Sequence, residues 1–264
     1  MKTVAPNLID RAVSYFAPVA AANRMRARAA MALSGQWIGG RTDRRPTFNW
    51  LPSTGSADAD DLSDLATLRP RSRDLMRSNP IALGAVNTNV TSIVGTGLSL
   101  RSRIDHESLG MSVDDALTWQ RQTEREFRMW AEDAVACDSE ATLSFYGLQG
   151  LALRSALESG DVGTALPMIR RKSSVYNLKV LLIEADRICN KNGVKDTDSL
   201  AGGVQKDSGG APVAYHVTKR HPYGLEWSRR EWDVIPAFGA RTGRRNFVHL
   251  FDKRRPGKTR GTNR

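Results

Sequence analysis

Ser144-Phe-Tyr-Gly-Leu-Gln-Gly-Leu-Ala-Leu-Arg-Ser-Ala-Leu-Glu-Ser-Gly-Asp-Val-Gly-Thr-Ala165 contains the change of period on which the fold turns. Its first part is rich in Leu148, Leu151, Leu153 and Leu157 and predicts a helix over roughly residues 144–158, with Gly160 as the C-terminal stop. Beyond Gly160 the pattern alternates. Short strands are predicted at Ala165–Arg170, Leu178–Ile183, Val213–Val217 and Phe247–Phe251, separated by Gly, Asn, Asp and Pro. Between them, Asn190–Gly210 is expected to be a long polar loop.

Working back from Ser144, Ser112-Val-Asp-Asp115 has the pattern of a capping box. The helix it opens is predicted to run to about Ala134, with Trp119, Phe127 and Trp130 on one buried side. Ser78-Asn79-Pro80 ends one helix and starts the next, because proline suits a first helical turn. That next helix, Ile81–Ile93, closes at Gly95 and Gly97, and Leu98–Ile104 alternates as a strand would. Upstream, Ser63 and Asp64 can cap a helix entry, and Arg69–Arg73 reads as a basic turn around Pro70. Residues 1–60 differ from the rest: an Ala- and Arg-rich stretch, then Gly35, Gly39, Gly40, Pro46 and Pro52, then the acidic Ala57–Asp61. The expected fold is α+β, helical first and β-rich after. A basic arm and linker covers 1–60, a helical region 61–158, a β-rich region 159–252 and a basic tail 253–264.

The charge balance is the informative part of the composition. Lys and Arg total 39 against 28 Asp and Glu, a net +11, which favours polyanionic partners, nucleic acid above all. The acid-free tail concentrates this charge, so Lys253, Arg254, Arg255, Lys258, Arg260 and Arg264 are the candidate contacts to nucleic acid or a partner. No apolar run approaches the ~20 residues of a membrane-spanning helix, and the N-terminus lacks a secretory pattern, so a soluble intracellular chain is expected. The two cysteines, Cys137 and Cys189, define no disulfide framework and are expected to be free thiols.

Catalytic patterns are weak. Val94-Gly-Thr-Gly97 lacks the third glycine of a dinucleotide loop and the lysine of a phosphate loop, and reads as a helix end. His106, His216, His221 and His249 are scattered, with no metal-ligand spacing. Glu184 and Asp186 follow an apolar strand and are the only carboxylate pair that a metal-dependent nuclease could use. Trp227, Arg229, Arg230 and Trp232 mix aromatic and basic residues, but without the regular spacing of a stacking platform. No catalytic, metal or cofactor residue is expected.

A set of strings in fixed order carries more. They are Arg71-Ser-Arg-Asp-Leu-Met-Arg-Ser-Asn-Pro80, Gly84-Ala-Val-Asn-Thr-Asn89, Val94-Gly-Thr-Gly-Leu98, Phe127-Arg-Met-Trp-Ala131 and Cys137-Asp138. Then follow Ser144-Phe-Tyr-Gly-Leu-Gln149, Leu182-Ile-Glu-Ala-Asp-Arg187, Pro212-Val-Ala-Tyr-His216, His249-Leu-Phe-Asp252, Arg255-Pro-Gly257 and Arg260-Gly261. Over about residues 62–261 the chain resembles the lambda-type portal proteins of tailed phages. The resemblance implies a portal-type fold with a wing-like β region. It also implies a structural role as one subunit of a ring at a capsid vertex, the channel for DNA packaging and ejection, with no enzymatic activity and no cofactor. The implied partners are double-stranded DNA, terminase, capsid and scaffold proteins, head–tail connector proteins and further copies of the chain. The implied location is the virion vertex, with the host cytoplasm during assembly. Two departures stand out: Gly160–Ala165 is richer in Gly and Ala than a bulky strand, and Arg264 falls where family members continue for about as long again, so a fragment or truncated copy is expected. The rival is a basic, sequence-independent DNA-binding or nuclease-accessory protein.

Overall fold

The computed structural model describes residues 6–33, 54–224 and 230–263, and for residues 29–33 the backbone only. The chain divides into two compact units, Met1–Thr54 and Gly55–Arg264.

In the first unit, helices α1 (Leu8–Phe16) and α2 (Pro18–Leu33) form a hairpin. Asn7 caps α1 in a reciprocal box with Asp10. Asp10 is buried and accepts from Arg24 and Arg28, four residues apart and therefore on one face of α2. Those hydrogen bonds add to the capping one in holding the Asp10 carboxyl below its usual range.

The second unit is α+β, in the order expected. Helix α3 (Ala57–Ser78) starts at Ser56, whose hydroxyl accepts from the Ala59 amide. The acidic stretch that resembles linker is thus the first turn of α3, where Asp58 and Asp60 sit favourably at the positive end of the helix dipole. Pro70 lies inside α3 and does not end it. The break comes at Asn79, which caps α4 (Pro80–Ile93) with proline at its start. Helix α5 (Val113–Glu132) is capped by Ser112, a short α6 (Ala134–Cys137) by Asp133, and α7 (Phe145–Ser159) by Ser144.

Leu98–Ile104 forms no strand. Its backbone groups pair with side chains instead: the Leu98 amide donates to Gln149 Oε1, Gln149 Nε2 returns a bond to the Leu98 carbonyl, and the Ser102 amide donates to Glu124 Oε1. The Trp face of α5 is only partly covered. Phe127, Trp130 and Phe145 pack with ring centroids 5.1–5.7 Å apart. Trp119 instead stays 47% exposed, at the edge of an open cavity of about 800 Å³ shared with Trp130, Met168 and Leu178.

Two antiparallel sheets follow. One has the order β2-β1-β7, from β1 (Asp161–Ala165), β2 (Leu181–Glu184) and β7 (Phe247–Phe251). The other has the order β3-β4-β5-β6, from β3 (Leu200–Ala201), β4 (Val204–Lys206), β5 (Pro212–Thr218) and β6 (Trp232–Pro236). The first strand lies at Asp161–Ala165 and not at Ala165–Arg170, so the small residues of Gly160–Ala165 are the strand. The reason is space. A Cβ on Gly163 would stand 2.5 Å from Phe247 Cζ and 2.9 Å from Ile188 Cδ1. The Asn190–Gly210 stretch also contains β3 and β4, joined through Gly202-Gly203, both with positive φ as a two-residue hairpin requires.

Both sheets share one core: Ile183, Phe247 and Ala165 from the first, Val204, Tyr215 and Val217 from the second. Tyr215 and Phe247 stack across it with centroids 4.0 Å apart. A second cluster of Cys137, Leu148 and Val180 joins α6 and α7 to the first sheet. Cys137 and Cys189 are both free thiols, and burial pushes the Cys137 thiol up. Among the described residues no helix is long and apolar enough to cross a membrane.

Gly163→Ala is expected to lower stability by about 1–3 kcal/mol, the usual cost of overpacking a filled core. Thermal unfolding checks this, and Phe247→Leu in the same background should recover part of the loss by freeing the ring's space.

Candidate functional site

Asp161 opens β1 directly after the left-handed Gly160 that ends α7, and its side chain is 0% exposed. An ionised carboxylate in such a place is tolerable only if donors saturate it. Five do. Oδ1 accepts from Arg69 Nη2 at 3.1 Å and Arg260 Nη2 at 3.0 Å; Oδ2 accepts from Arg260 Nε at 2.5 Å, His249 Nε2 at 3.0 Å and the Gly261 amide at 3.1 Å. The guanidiniums and the imidazole hold the Asp161 carboxyl far below the usual range, against the opposing pull of desolvation.

Arg260 is just as completely used. Beyond the two-point contact with Asp161, Nη1 donates to the carbonyls of Ile188 and Gly202, and Nη2 to that of Ala185. All five N–H groups of the guanidinium therefore have acceptors. Arg69, on the buried side of α3, donates to the Ser159 and Ala185 carbonyls and to Asp161 and Asp186. Burial, with Arg260 beside it, pulls its pKa down to about 10, which leaves it charged at neutral pH. One turn on, Arg73 pairs with Glu184, at 3.2 Å, and with Asp186. Three carboxylates, Asp161, Glu184 and Asp186, thus face three guanidiniums, Arg69, Arg73 and Arg260.

The segment that carries Arg260 is laced to the first turn of α3. Arg255 reaches Asp60 at 2.7 Å and the Gly55 carbonyl; Lys258 reaches Asp61 at 2.7 Å; the Thr259 amide donates to Asp58 at 2.7 Å, and Lys206 joins the same carboxylate from β4. Glycines permit the final approach, since a Cβ on Gly261 would stand 1.9 Å from the Gly160 carbonyl oxygen. Asn263 then donates to the Leu68 carbonyl.

The six basic residues singled out in the sequence are therefore not one solvated tail. Lys258 and Arg260 are buried and ion-paired, which corrects their assignment as contacts to nucleic acid: desolvation and a carboxylate already hold each of them. Arg255 is exposed but paired to Asp60, Arg254 is exposed and paired to Asp252, and Lys253 is exposed. Arg264 lies outside the described residues, as do Trp227 and Arg229 of the aromatic–basic cluster.

Glu184 and Asp186, the carboxylates a nuclease would need, meet His221 in a group whose ligand atoms lie within 4.8 Å of one another. Arg73 bridges both carboxylates, so a cation there would have to displace a guanidinium; the group is built as ion pairs. His249 was legible only as a structural histidine. His249 and Asp161 had one available signal, a charge or imidazole set into a small or apolar stretch; Arg69, in the charged run Arg69–Asp74, had none.

Residues 43–264 match the family model described as phage portal protein, lambda family. Portal protein B of Escherichia phage lambda is 27% identical over 218 residues, which cover 81% of this chain and 40% of the lambda protein. The portal protein of Escherichia phage N15 is 27% identical over 217 residues, again 81% of this chain and 40% of the relative. The chain thus spans about 40% of the length of the curated relatives it matches.

Two outcomes follow from the buried charges. Arg260→Ala and Asp161→Ala should each destabilise by about 3–5 kcal/mol, the cost of leaving a buried partner uncompensated. The double variant should lose clearly less than their sum, a coupling that a double-mutant cycle in denaturant measures. The second outcome concerns pH. Burial lowers the pKa of His249 despite the attraction of Asp161, so its neutral form is the native one and its contribution is lost as pH falls below the ordinary histidine value of about 6.5. Asp161, also depressed, contributes fully above about pH 4 and loses that contribution only at more acid pH. The melting temperature should therefore decline in two stages on acidification, and His249→Asn should shrink the first, leaving the share of His216, whose pKa burial also lowers.

Proposed function

The chain belongs to the lambda family of phage portal proteins, and on that premise we propose that it supplies the wing-like part of a portal subunit, a structural component of the capsid vertex. The proposed assembly is a closed ring of subunits around a channel for the packaging and ejection of double-stranded DNA. Terminase, capsid and scaffold proteins and head–tail connector proteins are the proposed partners, and the virion vertex, reached from the host cytoplasm during assembly, is the proposed location.

The observation that carries this reading is the way the family-like strings meet in space. Arg71–Pro80 supplies Arg73, Leu182–Arg187 supplies Glu184 and Asp186, His249–Asp252 supplies His249, and Arg260-Gly261 closes on Asp161. These residues are buried or ion-paired, and their roles are architectural. A ring subunit needs such an interior, because a body whose helices shift against its sheets cannot repeat one contact around a closed circle. The rival nuclease-accessory reading gains no support from Glu184 and Asp186, which are engaged by Arg73.

The test is assembly. Fusing this chain to the portion of a lambda-family relative that it does not cover should give closed rings with a central hole in negative-stain electron microscopy. A fusion that folds, as judged by cooperative unfolding, yet stays monomeric at high concentration would overturn the ring-subunit proposal.

A further inference from the structure

The cations of the C-terminal segment are mostly committed to carboxylates, so the free positive charge lies elsewhere. The hairpin joining β6 to β7 carries Arg241, Arg244 and Arg245 within five residues, and no acid occurs between Asp233 and Asp252. All three arginines are exposed, and none has an ion-pair partner among the described residues.

The hairpin is built, not merely looped. Its base is fixed in the shared core by Ala237 and Phe247, both fully buried. The Ala237 amide donates to the Val213 carbonyl, and the Asn246 amide to the Ala237 carbonyl. Above that, Phe238 and Arg245 oppose each other in an antiparallel bridge. The Gly239 amide donates to the Arg244 carbonyl at 2.8 Å, and Gly243, with φ of +63°, closes the turn. The Arg245 guanidinium lies over the Phe238 ring, 4.9 Å from its centroid. A guanidinium attracted to a ring in this way is held at the tip while its N–H donors stay available to an oxyanion.

We propose that the hairpin tip 238–245 is a contact surface for the phosphodiester backbone of duplex DNA, with Arg241, Arg244 and Arg245 as the phosphate-binding residues. The proposal deepens the packaging role given above and rests on it for the identity of the polyanion. Three features favour a phosphate backbone over an acidic protein. Protein interfaces are anchored by aromatic or large apolar side chains. The tip offers a single one, Phe238, 44% exposed and with the Arg245 guanidinium over its ring. It also has no carboxylate to set register with a partner's cations, and Gly239, Ala240, Thr242 and Gly243 leave a narrow ribbon, a shape that a DNA groove admits. A single aromatic ring supplies no run of stacking positions for successive bases, which favours duplex over single strands.

The test measures binding of the 264-residue chain to a fluorescent duplex by anisotropy across a salt series. The Arg241→Gln/Arg244→Gln/Arg245→Gln variant is compared with Arg121→Gln/Arg125→Gln/Arg128→Gln, which removes the same charge from the exposed face of α5. Both variants should melt as the parent does. The hairpin variant should bind at least about tenfold more weakly at low salt and flatten the log–log salt slope by about two to three, close to 0.9 for each phosphate no longer engaged. The α5 variant should shift the slope by less than about one. Equal effects in both, or a parent chain that fails to bind duplex at low salt, would overturn the hairpin assignment while leaving the ring assay untouched. A polyglutamate peptide that displaces the duplex at equal charge concentration would reassign the tip to an acidic protein. Conversely, rings that fail to form while the hairpin-dependent slope persists would remove the ring-subunit proposal and keep the DNA contact.

Discussion

The ionised carboxylate of Asp161 is the constraint to which the second unit is fitted. A bare charge at zero exposure is far too costly to keep, and its five donors come from four residues: Arg69 on α3, His249 on β7, and Arg260 and Gly261 in the closing segment. None of these lies near Asp161 in sequence. Satisfying it therefore fixes the position of α3 against the first sheet, the register of β7 beside β1 and the path of the chain after Gly257. Register is the clearest case. His249 pairs with Gly163 across the ladder, which places its ring on the same side as the side chain of Asp161. A slip of one residue would turn the imidazole to the opposite face and leave Oδ2 short of a donor.

The same site shows why glycine and charge occur together. Gly160 turns the chain out of α7 with positive φ and so directs Asp161 inward, and it also leaves room for Gly261 to approach its carbonyl oxygen. Side chains at either position would hold the strap away from β1 and separate Arg260 from its carboxylate. Apolar packing could fill the volume as cheaply, or more so. It would not impose the same geometry, because a two-point guanidinium–carboxylate contact has a narrow range of angles while methyl groups slide past one another.

Much of this architecture was legible. Ser112 caps its helix as its box pattern predicts, the helix break falls at Ser78-Asn79-Pro80 as expected, and β7 coincides with its predicted span, because capping, proline and alternation are local properties. The failures are tertiary. Gly163 reads as a weak strand residue until Phe247 is seen to occupy the missing side chain's space. The Leu98–Ile104 alternation finds no strand partner, since Gln149 and Glu124 satisfy its backbone first. Trp119 follows the spacing of Trp130 and Phe127, yet it stays half-exposed at that end of α5. Gly202-Gly203 was a usable hairpin signal between residues whose polarity suggested only loop.

Net charge was the least transparent property, because a sum cannot say which charges are already paired. The C-terminal cluster looked most suited to a polyanion on density alone. Yet Arg260 is 1% exposed and Lys258 is buried against Asp61, so both contribute to cohesion and little to the outer field. The same holds for Arg69 and Arg73 on α3, and in the first unit for Arg24 and Arg28 around Asp10. For the arginines of α3 and the closing segment the carboxylate sits on an element remote in sequence; for Arg24 and Arg28 it sits on the neighbouring helix, and both arginines stay partly exposed. Part of what remains for solvent is carried where acids are locally absent, as on the 238–245 hairpin. A buried ion network thus serves both ends of the molecule's electrostatics: it holds helix, sheet and strap in one arrangement, and it leaves the excess of positive charge on surfaces that no internal carboxylate can reach.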